Sequence, residues 1–160
     1  MTEYGIPFRT GNILGLPGET IQQMYETVEM NITVQPYIGL ANIFAPFPGL
    51  KLTQYAMEQG FFRPANSHDL PKDYFTGSML NFSKKEKSRI YKLLCLFPLF
   101  VRRPFLFRTP WLRQGLFCLP KTALRIIYEL VYTIKLARFS IPRTSLRLKF
   151  RMALRHIKNL

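Results

Sequence analysis

Few side chains in this sequence are placed to do chemistry by themselves. Its two cysteines, Cys95 and Cys118, lie 23 positions apart and make no C-x-x-C pair and no zinc-ligand spacing. His68 and His156 stand far apart without acidic or cysteine company and read as surface residues. Asp69 and Asp73 bracket Pro71 and Lys72 in a turn-like stretch, a weak basis for paired-carboxylate catalysis. Gly15 to Gly18 is followed by no Gly-Lys-Ser/Thr, so it is not a phosphate-cradling P-loop. No Ser/His/Asp grouping can be argued, and no catalytic residue or metal ligand is assigned. What remains is binding chemistry: glycine-flanked apolar runs in the first half and a dense mixture of bases and aromatics in the second.

The elements that carry these runs are set by pattern. Gly11 to Leu16 is short, largely apolar and bounded by turn residues, which suits a buried strand. Pro17 and Gly18 break it, and a helical pattern begins at Glu19, whose charge would complement the helix dipole. Ile21, Met24, Tyr25, Val28 and Ile32 recur at steps of three and four, and Pro36 prevents continuation. A second apolar run covers Ile38 to Phe44, followed by a helix from about Lys51 to Gln59 with Leu52, Tyr55 and Ala56 inward and Gly60 as terminator. Strand, helix, strand, helix with short links predicts an α/β arrangement of parallel strands with helical crossovers. Two parallel strands alone leave open edges, so residues 1–62 are expected to be part of a larger sheet or barrel.

These residues carry a resemblance. Gly11-Asn12-Ile13-Leu14-Gly15 is similar to the G-x-I-x-G signature of the fifth strand in radical S-adenosylmethionine (SAM) enzymes. Gly15-Leu16-Pro17-Gly18-Glu19-Thr20 resembles the turn leaving that strand in the cobalamin-binding branch. Phe44-Ala45-Pro46-Phe47-Pro48-Gly49, with Leu52, Ala56 and Gly60, resembles that branch's sixth strand and last barrel helix. The resemblance covers residues 1–62 closely and the tail only by general character. It implies the last two β/α units of a partial (β/α) barrel, with Gly11, Ile13 and Gly15 packed against the adenine of SAM. Phe44, Ala45 and Pro46 would line its other side, partly through backbone groups. Glycines permit close backbone approach, and a branched side chain gives a flat ring a surface to press on. The competing reading of G-x-I-x-G is a buried strand whose glycines allow close helix packing.

The resemblance further implies reductive SAM cleavage to a deoxyadenosyl radical, or methyl transfer through cobalamin, at an unactivated carbon. Such enzymes hold a 4Fe–4S cluster on C-x-x-x-C-x-x-C, because thiolates suit iron–sulfur centres. That motif is missing here. The expectation is therefore the carboxy-terminal portion of such an enzyme. SAM, the cluster and cobalamin would belong to the complete enzyme, with its amino-terminal part as partner. The chain alone is expected to hold none of them stably and to be inactive.

Charge divides the chain in the same place. The 160 residues carry +14 overall, with −3 on residues 1–83 and +17 on residues 84–160. Hydrophobic residues make up 48% and aromatics 14%, too much for a disordered tail. Residues 63–83 are turn-rich and read as a linker. Ser83-Lys84-Lys85-Glu86 fits a capping box, opening a helix with Ile90, Leu93, Leu94 and Phe97 inward that meets Pro98. Pro104, Pro110 and Pro120 cut the next stretch into short pieces. Lys121 to Arg138 reads as amphipathic, with Leu124, Ile127, Leu130, Val131 and Ile134 on its apolar side. Ser145 to Leu160 repeats the idea, with a start that also alternates like a strand.

Ile90 to Val101 is too short to span a bilayer, and bases with Pro120 interrupt the longer stretch beyond Leu116. Phe105, Phe107, Trp111 and Phe117 interleave with Arg102, Arg103, Arg108 and Arg113, as in an interfacial segment with snorkelling bases or a lid over an apolar, anionic substrate. A packed domain with a solvated basic face is the plain alternative. Nucleic acid is disfavoured, since no recognised binding motif accompanies the charge. With no signal-peptide pattern at its start, the chain is expected in the cytoplasm, peripheral to the inner face of the membrane. A non-catalytic basic module docking on a membrane surface or protein partner is the second functional expectation.

Overall fold

The computed structural model describes residues 6–63 and 77–140, with side chains to residue 135. They form β1 (Arg9–Leu14), α1 (Ile21–Val34), β2 (Ile38–Ile43), α2 (Lys51–Glu58), α3 (Lys84–Arg102), α4 (Pro104–Arg108), α5 (Pro110–Phe117) and α6 (Lys121–Ser140). The architecture is mixed α/β and mostly helical, with one two-stranded sheet. β1 and β2 pair in parallel from Arg9↔Ile38 to Leu14↔Ile43. The Phe44 N–H donates to the Leu14 carbonyl at 2.9 Å, carrying the ladder one step past the strand ends.

The first helix is set differently from the sequence expectation. Its N-cap is Thr20, whose hydroxyl accepts from the Gln23 N–H while the Gln23 side chain accepts from the Thr20 N–H. Glu19 therefore lies before the cap rather than in the first turn, and its carboxylate accepts the Leu16 N–H at 2.9 Å. The helix closes at Gln35, which takes the left-handed conformation (φ 52°) ahead of Pro36. In α2 the inward residues are Thr53 and Ala56. Leu52 and Tyr55, expected inward, are 40% and 46% exposed. Eight residues make about two turns, and only one narrow strip of so short a helix meets the neighbouring Phe44, Phe62 and Leu80.

α3 is the axis of the molecule. Ile90, Leu93, Leu94 and Phe97 are fully buried, as their spacing predicts, together with Leu96 and Phe100. The Ser83–Glu86 capping box forms. The helix runs through Pro98 to Arg102 instead of ending there. A proline inside a helix costs about 3 kcal/mol. Burial of a single large apolar side chain returns roughly 1.5–3 kcal/mol, and the final turn buries Phe100 while carrying Val101 against β2. Tertiary packing outweighs the local penalty.

Pro104, Pro110 and Pro120 do punctuate the chain. The first two sit at the first turns of α4 and α5, where a missing N–H costs nothing. Phe107 and Phe117 are core residues at 2% and 5% exposure, not part of an interfacial segment. Phe107 packs edge-on against Tyr25 and tilted against Phe100, and Phe100 meets Phe117. In α6 the buried positions are Leu124 and Tyr128, with Ile127 and Val131 half-buried. Leu130 and Ile134, placed by periodicity on the apolar side, are 54% and 52% exposed, because α3 covers only part of that side.

One hydrophobic core crosses the charge boundary, joining Leu14, Met24, Val28 and Ile43 to Ile90, Phe97, Phe107 and Leu124. The end of the linker packs too. Leu80 is buried beside Phe44, Ala56 and Phe62, and the Asn81 N–H donates to the Phe61 carbonyl at 2.7 Å. His68, Asp69 and Asp73, and the expected element over Ser145 to Leu160, lie outside the described residues.

Candidate functional site

Side chains alternate across a strand, so the parallel register sorts them onto two faces. Thr10, Asn12 and Leu14, with Gly39, Ala41 and Ile43, face the helices. Gly39 is the glycine that permits close helix packing: a Cβ there would lie 3.2 Å from Val101 Cγ2. On the same side, the Asn31 amide of α1 donates to Asn12 Oδ1 at 2.9 Å, and Asn31 Oδ1 accepts from Thr10 Oγ1 at 2.6 Å. Asn12 also donates to the Leu40 carbonyl at 2.8 Å. Asn31 is 1% exposed, and an unsatisfied group at such depth would cost about 1–3 kcal/mol. This polar clamp fixes the strand–helix register at the one place where apolar packing gives way. The sequence stripe Met24, Val28, Ile32 does not reveal it.

Arg9, Gly11 and Ile13, with Ile38, Leu40 and Asn42, form the other face. Ile13 is 52% exposed, Gly11 and Asn42 are exposed, Leu40 is half-buried, and Ile38 is buried. A Cβ placed on Gly11 would meet nothing within 4 Å among the described residues. No described helix packs closely on Gly11.

The remaining expected site residues gather at the carboxyl ends of the two strands. Gly15 takes φ +73°, a conformation that favours glycine, and is buried next to Ile90 and Phe82. The Phe44 side chain is spent in the small core with Ala56, Phe62 and Leu80. Pro46 is buried and Ala45 half-buried. Gly15, Phe44, Ala45 and Pro46 thus follow the carboxyl ends of the strands, whereas Gly11 lies in mid-strand and Ile13 next to the end of β1, and only Gly11 and Ile13 lie on the more exposed face.

Loops at those carboxyl ends frame a cavity of about 460 Å³ lined by Gly18, Glu19, Thr20, Phe61, Asn81 and Phe82, among others. Open parallel sheets characteristically bind ligands at this end. Burial pushes the Glu19 carboxyl above its usual range, and its hydrogen bonds from the backbone at Leu16 and Gly15 oppose that rise only in part.

The thiols are in no position to hold a cluster together. Cys95 is buried under α6, where burial raises its pKa and makes it a poor nucleophile. Cys118 is exposed at the end of α5. Among the described residues there is no group of three His, Cys, Asp or Glu suited to a metal ion, and no helix is long and apolar enough to cross a membrane. No family model, curated protein or solved structure matches the chain.

Proposed function

We propose that the chain is the carboxy-terminal part of a radical SAM enzyme of the cobalamin-binding kind, its strand pair completing a (β/α) barrel with an amino-terminal part. In this reading the open face at Gly11 and Ile13 takes the adenine of SAM. The supporting observation is that face itself. Parallel sheets are ordinarily covered on both sides, yet Gly11 meets no neighbour within 4 Å of a Cβ among the described residues, and Ile13 is 52% exposed. A glycine with empty space above it, next to a branched apolar side chain, fits a flat aromatic ring. The cysteines do not fit a 4Fe–4S cluster, so cluster and cobalamin are assigned to the amino-terminal part. SAM would supply either the methyl group transferred or the carbon–sulfur bond that is reductively cleaved, and this chain's own role is to bind and orient it.

Two observations test this. The reading frame upstream of Met1 in the source genome should encode C-x-x-x-C-x-x-C. With the encoded amino-terminal part co-expressed, Ile13→Asp should weaken SAM binding in equilibrium dialysis by at least about tenfold, near 1.4 kcal/mol. The thermal midpoint of the chain alone should fall by only a few degrees, since Ile13 is half exposed and strand propensity spans about 1 kcal/mol. Unchanged SAM affinity would remove Ile13 from the site.

A second reading, a basic module docking on an anionic membrane surface, is favoured by Trp111 and Phe105, which are 72% and 58% exposed beside Arg102, Arg103 and Arg108. Apolar side chains flanked by bases suit a headgroup boundary. The chain should then sediment with phosphatidylglycerol vesicles, less so as salt rises, and Trp111→Ser should abolish the salt-resistant fraction. Indifference of sedimentation to Trp111→Ser would count against it.

A further inference from the structure

A groove of about 450 Å³ opens between the first turns of α3, the end of α5 and the start of α1. Four cationic side chains line it, Lys84, Lys85, Arg89 and Lys92, with Ser88 and Gln114 as neutral donors and Ile21 and Phe117 as its apolar wall. Lys85, Arg89 and Lys92 are spaced at steps of four and three, so one face of α3 presents them together.

The single carboxylate in the lining does not neutralise them. Glu86 accepts the Ser83 N–H at 2.9 Å, and its hydrogen bonds with Ser83 hold its pKa below the usual carboxylate range. Glu86 stays ionised and offsets one of the four positive charges, which leaves the lining at +3. Lys92 donates its Nζ to the Phe117 carbonyl at 2.5 Å, tying α3 to α5 and holding the groove in shape.

This placement works against local stability. The first turn of a helix favours acids, because the macrodipole is positive there. Like charges four residues apart, as at Lys85 and Arg89, cost a few tenths of a kcal/mol. Sequences break such local rules chiefly where a function compensates. A bound anion would relieve both the repulsion and the dipole conflict. The groove's volume falls in the ordinary small-ligand range of roughly 300–1,000 Å³. Arg89 adds the planar fork that grips phosphate oxygens in pairs.

From this we infer that the groove binds a phosphate-bearing anion, either a soluble pyrophosphate-like group or the headgroup of an anionic phospholipid. The inference rests on neither functional reading above.

The test uses the full chain at fixed ionic strength with inorganic pyrophosphate and with phosphatidic acid vesicles as separate probes. Pyrophosphate should raise the thermal midpoint saturably, beyond sodium chloride of equal ionic strength. The triple variant Lys84→Gln/Lys85→Gln/Arg89→Gln should lose at least tenfold in affinity. A charge-matched variant, Lys51→Gln/Arg63→Gln/Arg125→Gln, removes exposed bases outside the groove and should stay within about threefold. Arg89→Lys keeps the charge but not the fork and should fall between them. Loss of vesicle binding in the groove triple, without any pyrophosphate effect, would assign the phosphate to lipid. Equal losses in the two triples, or no saturable response to either probe, would overturn the site.

Discussion

Tyr128 shows how one buried side chain writes a pH dependence into the whole chain. It is 8% exposed on α6, stacked at 5.9 Å on Tyr132 and close to Cys95 and Glu129. Burial, reinforced by the neighbouring Tyr132 and Glu129, pushes its phenol from the ordinary 10.0 up to about 12. Between those values the unfolded chain releases the Tyr128 proton while the folded chain keeps it. By linkage, stability is full below pH 10.0 and falls as pH climbs toward about 12. Tyr128→Phe keeps the ring and removes the proton, so its denaturation midpoint should decline less than the parent's across that window. Parallel declines in urea titrations at about pH 9.5 and about pH 11.5 would show that Tyr128 is not the source. Around the sheet, the glycines divide into distinct roles: Gly15 is required by its φ and Gly39 by the approach of Val101, whereas Gly11 is required by neither among the described residues. The G-x-I-x-G pattern makes its two glycines equivalent, and only the structure separates them.

Elements whose boundaries rest on local chemistry were legible in the sequence. The Ser83–Glu86 box, the apolar spacing of Ile90, Leu93, Leu94 and Phe97, and prolines at the starts of α4 and α5 all act within a turn or two, and all are where pattern places them. Expectations that depended on a distant partner were not legible. Phe107 and Phe117 interleave with arginines in sequence, yet Tyr25 of α1 and Phe100 of α3 draw both rings inward. Arg113 lies 4.6 Å from the Tyr25 ring centroid and 5.1 Å from that of Phe107, its charge lying over a core aromatic rather than reaching for a lipid. Pro98 is the same lesson with the sign reversed, a breaker overruled because β2 and α6 wait beyond it. The groove at Lys84, Lys85, Arg89 and Lys92 was invisible as a site, because a helix-opening box explains the start of the same stretch without reference to α5. For the residues expected to line an adenine, sequence pattern does not tell which side chains the core consumes: Phe44 is buried in the small core while Ile13 stays half exposed.

At the scale of the whole molecule, two oppositely charged halves share one core. The −3 of residues 1–83 and the +17 of residues 84–160 are joined through apolar contacts and through the Arg108–Glu29 pair at 2.8 Å. That pair is exposed, at 56% and 41% for its two side chains, and such pairs contribute about 0–1 kcal/mol. Repulsion among the twelve bases of residues 84–135 is the larger effect, since folding brings them closer than an expanded chain does. Salt weakens both, but it shortens the range of repulsion from about 30 Å at 0.01 M to about 10 Å at 0.1 M, within the dimensions of the fold. Stability should therefore rise with sodium chloride between those concentrations. A gain of about 1 kcal/mol would lift the thermal midpoint of a chain this size by about 2–4 °C. Chloride is the right salt, because sulfate or phosphate would add preferential exclusion and occupancy of the α3 groove to simple screening. A midpoint that falls as chloride rises would mean that attraction between the halves, not repulsion within one of them, governs the electrostatics of this fold.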